Sequence, residues 1–98
     1  MLDHQILKTV AEGMMNDQSV QVGGNALLVS RTGKSRLKTA RFSMHGKAYQ
    51  AIEQNPQKPS RWGKLARDGH RVVQFREIAS GKYVAAVVDG KVVEYGRS

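Results

Sequence analysis

Between residues 2 and 15 the apolar side chains Ile6, Leu7, Val10, Ala11, Met14 and Met15 recur at intervals of three and four, the spacing that lines one face of a helix. Asp3 falls in the first turn, where a carboxylate complements the helix dipole, and Asn16 with Asp17 makes a stop. The period then changes to two. Residues 19–22 alternate, Gly23, Gly24 and Asn25 form turns readily, and residues 26–30 are mostly apolar, which together predict a hairpin. Thr32, Gly33, Lys34 and Ser35 read as a second turn. Residues 36–44 and 47–54 flank His45 and Gly46, a pair that resembles the Asn-Gly type I′ turn in needing positive φ at both positions, a region histidine tolerates well. A two-residue loop pairs Phe42 with Tyr49, Ala40 with Ala51 and Lys38 with Glu53, and both an aromatic pair and an opposite-charge pair favour such a register. Ala48, Tyr49, Ala51 and Ile52 also suit helical spacing; the cross-strand pairs favour the strand.

Pro56 and Pro59 interrupt the pattern. Ser60 is placed to cap a short helix over 61–67, with Gly69 where a left-handed residue ends it. Trp62, Leu65 and Ala66 make its apolar stripe, while Arg61, Lys64 and Arg67 drift along the other side. The last third reads as a meander over 71–78, 82–88 and 91–95, with Asp89-Gly90 as a strong hairpin signal opposing Val87 to Val92 and Val84 to Tyr95. The order is one helix, four strands, a second helix and three strands, α-ββ-ββ-α-βββ. This predicts a single α+β domain in which two helices pack on antiparallel hairpins. Val10, Leu28, Phe42, Tyr49, Ile52, Trp62, Leu65, Val73, Phe75, Val84 and Val87 are expected in or near the core.

Charge sharpens this outline. The chain carries 16 Lys and Arg against 8 Asp and Glu, a net +8, and the excess is clustered. No acid occurs from Gln18 to Ile52, a stretch that holds Arg31, Lys34, Arg36, Lys38, Arg41 and Lys47. A second cluster runs through Lys58, Arg61, Lys64, Arg67, Arg71 and Arg76 with Asp68 as its sole acid. Such asymmetry speaks about partners and association, and not about fold. The expected phosphate contacts are Arg31, Lys34, Arg36, Lys38 and Arg41, with Arg61, Lys64 and Arg67 as a second row. They would give a nucleic acid, DNA or RNA, affinity with little sequence choice. Phe42, Tyr49 and Trp62 are the aromatics available for stacking on bases, although each also suits a core role. The competing expectation is a protein-interaction or self-associating module that meets an acidic partner or pairs along its sheet edges.

Other chemistry finds little support. Gly33-Lys34-Ser35 has the ending of a phosphate loop, but Leu28 stands where that loop needs a glycine and a strand pattern follows where it needs a helix. His4, His45 and His70 are scattered, without the spacing of metal ligands, and no cysteine is present. The acids are dispersed, with Glu53 explained by Lys38, and no Gly-x-Ser-x-Gly motif occurs. Nothing argues for an enzyme, a metal or a cofactor. Asp3 and Glu12 interrupt the first apolar segment, so neither a signal peptide nor a membrane span is expected there, and the reading is of a soluble cytoplasmic protein.

Overall fold

The computed structural model describes residues 2–32 and 37–95. Helix α1 (His4–Met15) begins one residue later than its carboxylate suggests, because Asp3 is itself the cap and accepts a hydrogen bond from the Ile6 N–H at 2.8 Å. Asn16 closes the helix and Asp17 turns the chain with φ of 55°. A two-stranded ribbon follows, β1 (Gln21–Val22) and β2 (Asn25–Ala26). The main sheet is then laid down in chain order as β3 (Leu28–Thr32), β4 (Leu37–Met44), β5 (Lys47–Glu53), β6 (Val72–Glu77), β7 (Tyr83–Val88) and β8 (Lys91–Tyr95). Each strand is antiparallel to its neighbour. Helix α2 (Arg61–Arg67) lies between β5 and β6 in sequence. The fold is α+β.

The expected hairpin of residues 19–22 with 26–30 divides. Leu27 donates to the Val20 carbonyl and packs on the core, so the chain leaves the small ribbon there and residues 28–32 pair with β4 instead. The expected turn through Thr32, Gly33, Lys34 and Ser35 lies at the edge of the described residues, with 33–35 outside them. The His45-Gly46 turn has φ of 54° and 76°, and its register is the expected one, Phe42 opposite Tyr49 and Ala40 opposite Ala51. Residues 47–53 are therefore strand. At the Asp89-Gly90 hairpin Val87 faces Val92, but Ala85 rather than Val84 faces Tyr95. Val93 is the extra residue of a β-bulge there, and a bulge shifts every later partner by one.

Alternation gives this sheet two unlike faces. On one face Ala40, Phe42, Tyr49, Ala51, Val73, Phe75, Ala85 and Val87 meet Leu7, Val10, Ala11 and Met14 of α1, and all are buried. Phe42 stacks on Tyr49 at 5.5 Å between ring centres and meets Phe75 edge-on at 6.2 Å; such pairs add about 0.5–1.5 kcal/mol each beyond area burial. The opposite face is covered only at one end. There α2 and the loop before it bury Val72 and Ala86, and Arg61 of α2 reaches Glu94, which stands opposite Ala86. Leu28, expected in the core, is 70% exposed on this second face, because β3 is an edge strand that α2 does not reach. Ile52, Trp62 and Leu65, expected in or near the core, are half-buried. Among the described residues no helix is long and apolar enough to cross a membrane.

Candidate functional site

The face that α2 leaves partly open carries a lateral row set by three registers. Leu28 stands opposite Arg41, Arg41 opposite Gln50, and Gln50 opposite Arg76. One row along, Ser30, Thr39, Ile52 and Gln74 are aligned in the same way, with the Ser30 and Thr39 hydroxyls 3.1 Å apart. Arg41 and Arg76 are exposed and make no ion pair among the described residues. One strand, β5, separates them, so they stand two strand spacings apart, about 10 Å. The row itself contains no acid.

Two hollows flank the row. One, of about 590 Å³, lies between the sheet and the α2 end, with Leu37, Ile52, Gln74 and Arg76 on the sheet side and Lys58 and Trp62 facing them. Gln54 and Asn55 close one end. The Gln74 amide donates to the Gln54 side chain, whose own amide donates to the Asn55 carbonyl at 3.0 Å, so these polar groups are held in place. Glu53 also borders this hollow, and its carboxylate accepts from the Lys38 N–H at 2.9 Å. The second hollow, of about 570 Å³, lies on the other side of the row and is more apolar, lined by Ala26, Leu28, Ala48 and Ile78 beside Arg41.

Helix α2 and its loop are locked together. Ser60 caps the helix by accepting from the Gly63 N–H. Arg67 donates to the Pro56 and Lys58 carbonyls at 2.6 and 3.0 Å, and the backbone of Gly63 sits so close to Lys58 that a side chain would not fit. The Arg61 guanidinium lies 4.3 Å from the centre of the Trp62 ring while bonding to Glu94, which fixes the indole at the rim of the first hollow. Beyond the row, Tyr83 stands opposite Arg76. Its hydroxyl is buried without a hydrogen-bond partner among the described residues, and burial pushes the phenol pKa up against a smaller opposing effect of Arg61.

The residues picked from the sequence are thus dispersed over the molecule. Arg41 belongs to the row. Arg31 and Lys38 face each other across β3 and β4 on the α1 side. The Lys38 ammonium, only 12% exposed, is held by Asp17 at 3.1 Å and by the Met15 carbonyl at 3.2 Å, so it ties down the end of α1. Its expected pairing partner Glu53 takes the Lys38 backbone instead. Arg61 is spent on Glu94 and Trp62, Arg67 on the loop, and Lys64 is exposed on α2. Lys34 and Arg36 lie outside the described residues. Arg76, Gln50, Lys58 and Gln74 were not singled out for the site. Gln50 was legible, since the hairpin register that pairs Phe42 with Tyr49 also pairs Arg41 with Gln50; Arg76 was not, because no turn signal pairs β5 with β6.

A second polar cluster lies at the far end of the sheet. Asp89 accepts from the Arg71 N–H at 2.9 Å and meets His70 at 2.7 Å, and these bonds, the backbone one first, hold its carboxyl below the usual carboxylate range. Arg71 donates to Asn16 at 2.8 Å, tying this turn to α1. The described residues contain no group of His, Cys, Asp and Glu fit to hold a metal. No family model, no curated protein and no solved structure matches the chain.

Proposed function

We propose that this protein binds nucleic acid across the open sheet face, with Arg41 and Arg76 on the phosphate backbone and Lys58 beside them. The observation that carries this reading is the acid-free row Arg41–Gln50–Arg76, presented on a rigid sheet in a chain of net charge +8. Two exposed guanidiniums that no carboxylate among the described residues neutralises keep their capacity for paired hydrogen bonds to phosphate oxygens. The open face, and not the basic 31–41 segment as a whole, is the surface that serves, because alternation turns Arg31 and Lys38 away from Arg41. Contacts of this kind set affinity and leave sequence choice small. The cytoplasm, where such partners abound, is the compartment this reading implies.

The test is fluorescence anisotropy of labelled nucleic acid titrated with the wild type, with Arg41→Gln/Arg76→Gln, and with Arg31→Gln as a control from the other face. The double variant should bind roughly tenfold or more weakly, and its slope of log affinity against log salt should fall by about 1.4–1.8, the counterions released by two phosphate contacts. Equal losses from Arg31→Gln and from the double variant would defeat the assignment to this face. Exposed Leu28 and Val29 on edge strand β3 favour a second reading, pairing of that edge with another chain. A mass by sedimentation that rises with concentration and is insensitive to salt would support it.

A further inference from the structure

We infer that the strand bound is single, and that the hollow beside Trp62 receives one unstacked base; this rests on the nucleic-acid reading above and specifies it. The walls make the first part of the case. Helix α2 and the 55–60 loop stand on the same sheet face as the Arg41–Arg76 row and close it at one end. A stiff duplex laid along the row meets this wall with its bases stacked inside, whereas a single strand bends into the hollow and turns a base toward protein. The volume of about 590 Å³ is in the range of pockets that take small ligands, enough for a nucleoside unit.

The lining makes the second part. Leu37 and Ile52 give an apolar floor, the fixed amides of Gln54 and Gln74 face a base edge, and Lys58 with Arg76 stand at the rim for the adjoining phosphates. Trp62 is half-buried at the mouth instead of sealed beneath α2. Arg61 already covers one side of its indole, so the ring is pre-set and offers the hollow its remaining face and edge. A π surface held in place before binding loses little conformational freedom when a base stacks on it. Glu53 at the border stays compatible with a bound strand, since its charge is directed to the Lys38 N–H.

Trp62 is the only tryptophan of the chain, so its emission reports directly on the hollow. We would titrate the protein with an oligodeoxythymidylate, with an abasic deoxyribose-phosphate strand of equal length and charge, and with a duplex, following Trp62 fluorescence and, separately, anisotropy of the labelled nucleic acid. The single strand should change the emission saturably and bind at least tenfold more tightly than either alternative. Trp62→Ala should weaken single-strand binding roughly 5- to 100-fold, as one base–aromatic stack requires, while Trp62→Phe, which keeps an aromatic ring and guards against a folding defect, retains most of it. Equal affinity for the duplex or the abasic strand, or tight binding with unchanged Trp62 emission, overturns the single-strand hollow and leaves the arginine row standing. Failure of every nucleic acid to bind overturns both.

Discussion

Gly63 is the position at which helix propensity and tertiary structure make opposite predictions. In the middle of an unconstrained helix alanine is favoured over glycine by about 1 kcal/mol, so Gly63→Ala ought to stabilise α2. In the folded protein the added methyl would lie 2.0 Å from the Lys58 carbonyl oxygen and 2.9 Å from its carbonyl carbon. Carbon and oxygen in contact need about 3.3 Å, so helix and loop must separate by more than about 1 Å. The obstacle is main chain, which has no rotamer to change. The same carbonyl is held by Arg67, which also holds that of Pro56. Forcing extra volume into a tight contact costs about 1–3 kcal/mol, and straining the Arg67 hydrogen bond to the Lys58 carbonyl adds about 1 kcal/mol. Set against the helical gain, the net is a destabilisation of about 2 kcal/mol.

For a domain of this size 1 kcal/mol moves Tm by about 4–8 °C, so Gly63→Ala should melt about 8–16 °C below the wild type in thermal unfolding followed by circular dichroism. Lys64→Ala, on the exposed side of the same helix, should stay within about 0.5 kcal/mol of wild type and serves as the control. A Tm for Gly63→Ala equal to or above that of the wild type would refute the reasoning. The loop would then move off the helix freely, and one wall of the hollow beside Trp62 would not be rigid.

Lys38→Met should destabilise by about 1–2 kcal/mol in urea unfolding, because it leaves Asp17 and the Met15 carbonyl unpaired, with nucleic-acid affinity within about twofold of wild type; weakened binding at unchanged stability would reverse the role given to this lysine. Asp89 holds its proton less tightly folded than unfolded, so its contribution to stability is complete above the ordinary carboxylate value of 3.8 and is lost as pH falls through the lower folded value. Asp89→Asn should therefore lose less stability than wild type on acidification from about pH 5 to about pH 2, and parallel acid profiles for the two proteins would show that the Arg71 and His70 bonds carry no such linkage. Tyr83→Phe removes a buried hydroxyl that has no partner among the described residues, and should leave Tm unchanged or raise stability by up to about 1 kcal/mol; a loss above about 1 kcal/mol would mean that the hydroxyl has a partner in solution.

Local chemistry wrote most of the elements into the chain. The His45-Gly46 and Asp89-Gly90 turns declare themselves because so few residue pairs accept positive φ twice, and a two-residue turn leaves only one register. Helix α1 was legible for the same kind of reason, since Leu7, Val10, Ala11 and Met14 lie one turn apart and bury together. The bulge at Val93 was not, because nothing in the run Lys91–Tyr95 distinguishes a regular strand from one carrying an extra residue. Nor was the split at Leu27, where a continuous apolar run conceals a change from one sheet to another. The candidate site suffered most, since it depends on the pairing of β5 with β6 across eighteen intervening positions, 54–71. No local signal fixes that register or the face on which α2 lands.

Alternation decides how the charges divide. A basic segment read along the chain looks like one surface, yet in a strand each successive side chain changes face, so Lys38 and Arg41, three apart, cannot act together. Lys38 goes to the face where α1 ends and serves stability. Arg41 goes to the face that α1 does not cover, where it joins Arg76 from a strand that lies 35 residues on in sequence and two strands away in space. On the proposed reading, the fold separates stability from nucleic-acid contact by the side of the sheet. Of the three aromatics first considered for base stacking, the face behind α1 buries Phe42 and Tyr49 together with Phe75, and Trp62 is left half-buried beside the open face. On that reading, exchanging Arg41 and Phe42 in sequence should lower Tm in thermal unfolding and weaken nucleic-acid binding in anisotropy at once, by burying a guanidinium against α1 and exposing an apolar ring on the proposed binding face, although the composition and net charge of the chain stay the same.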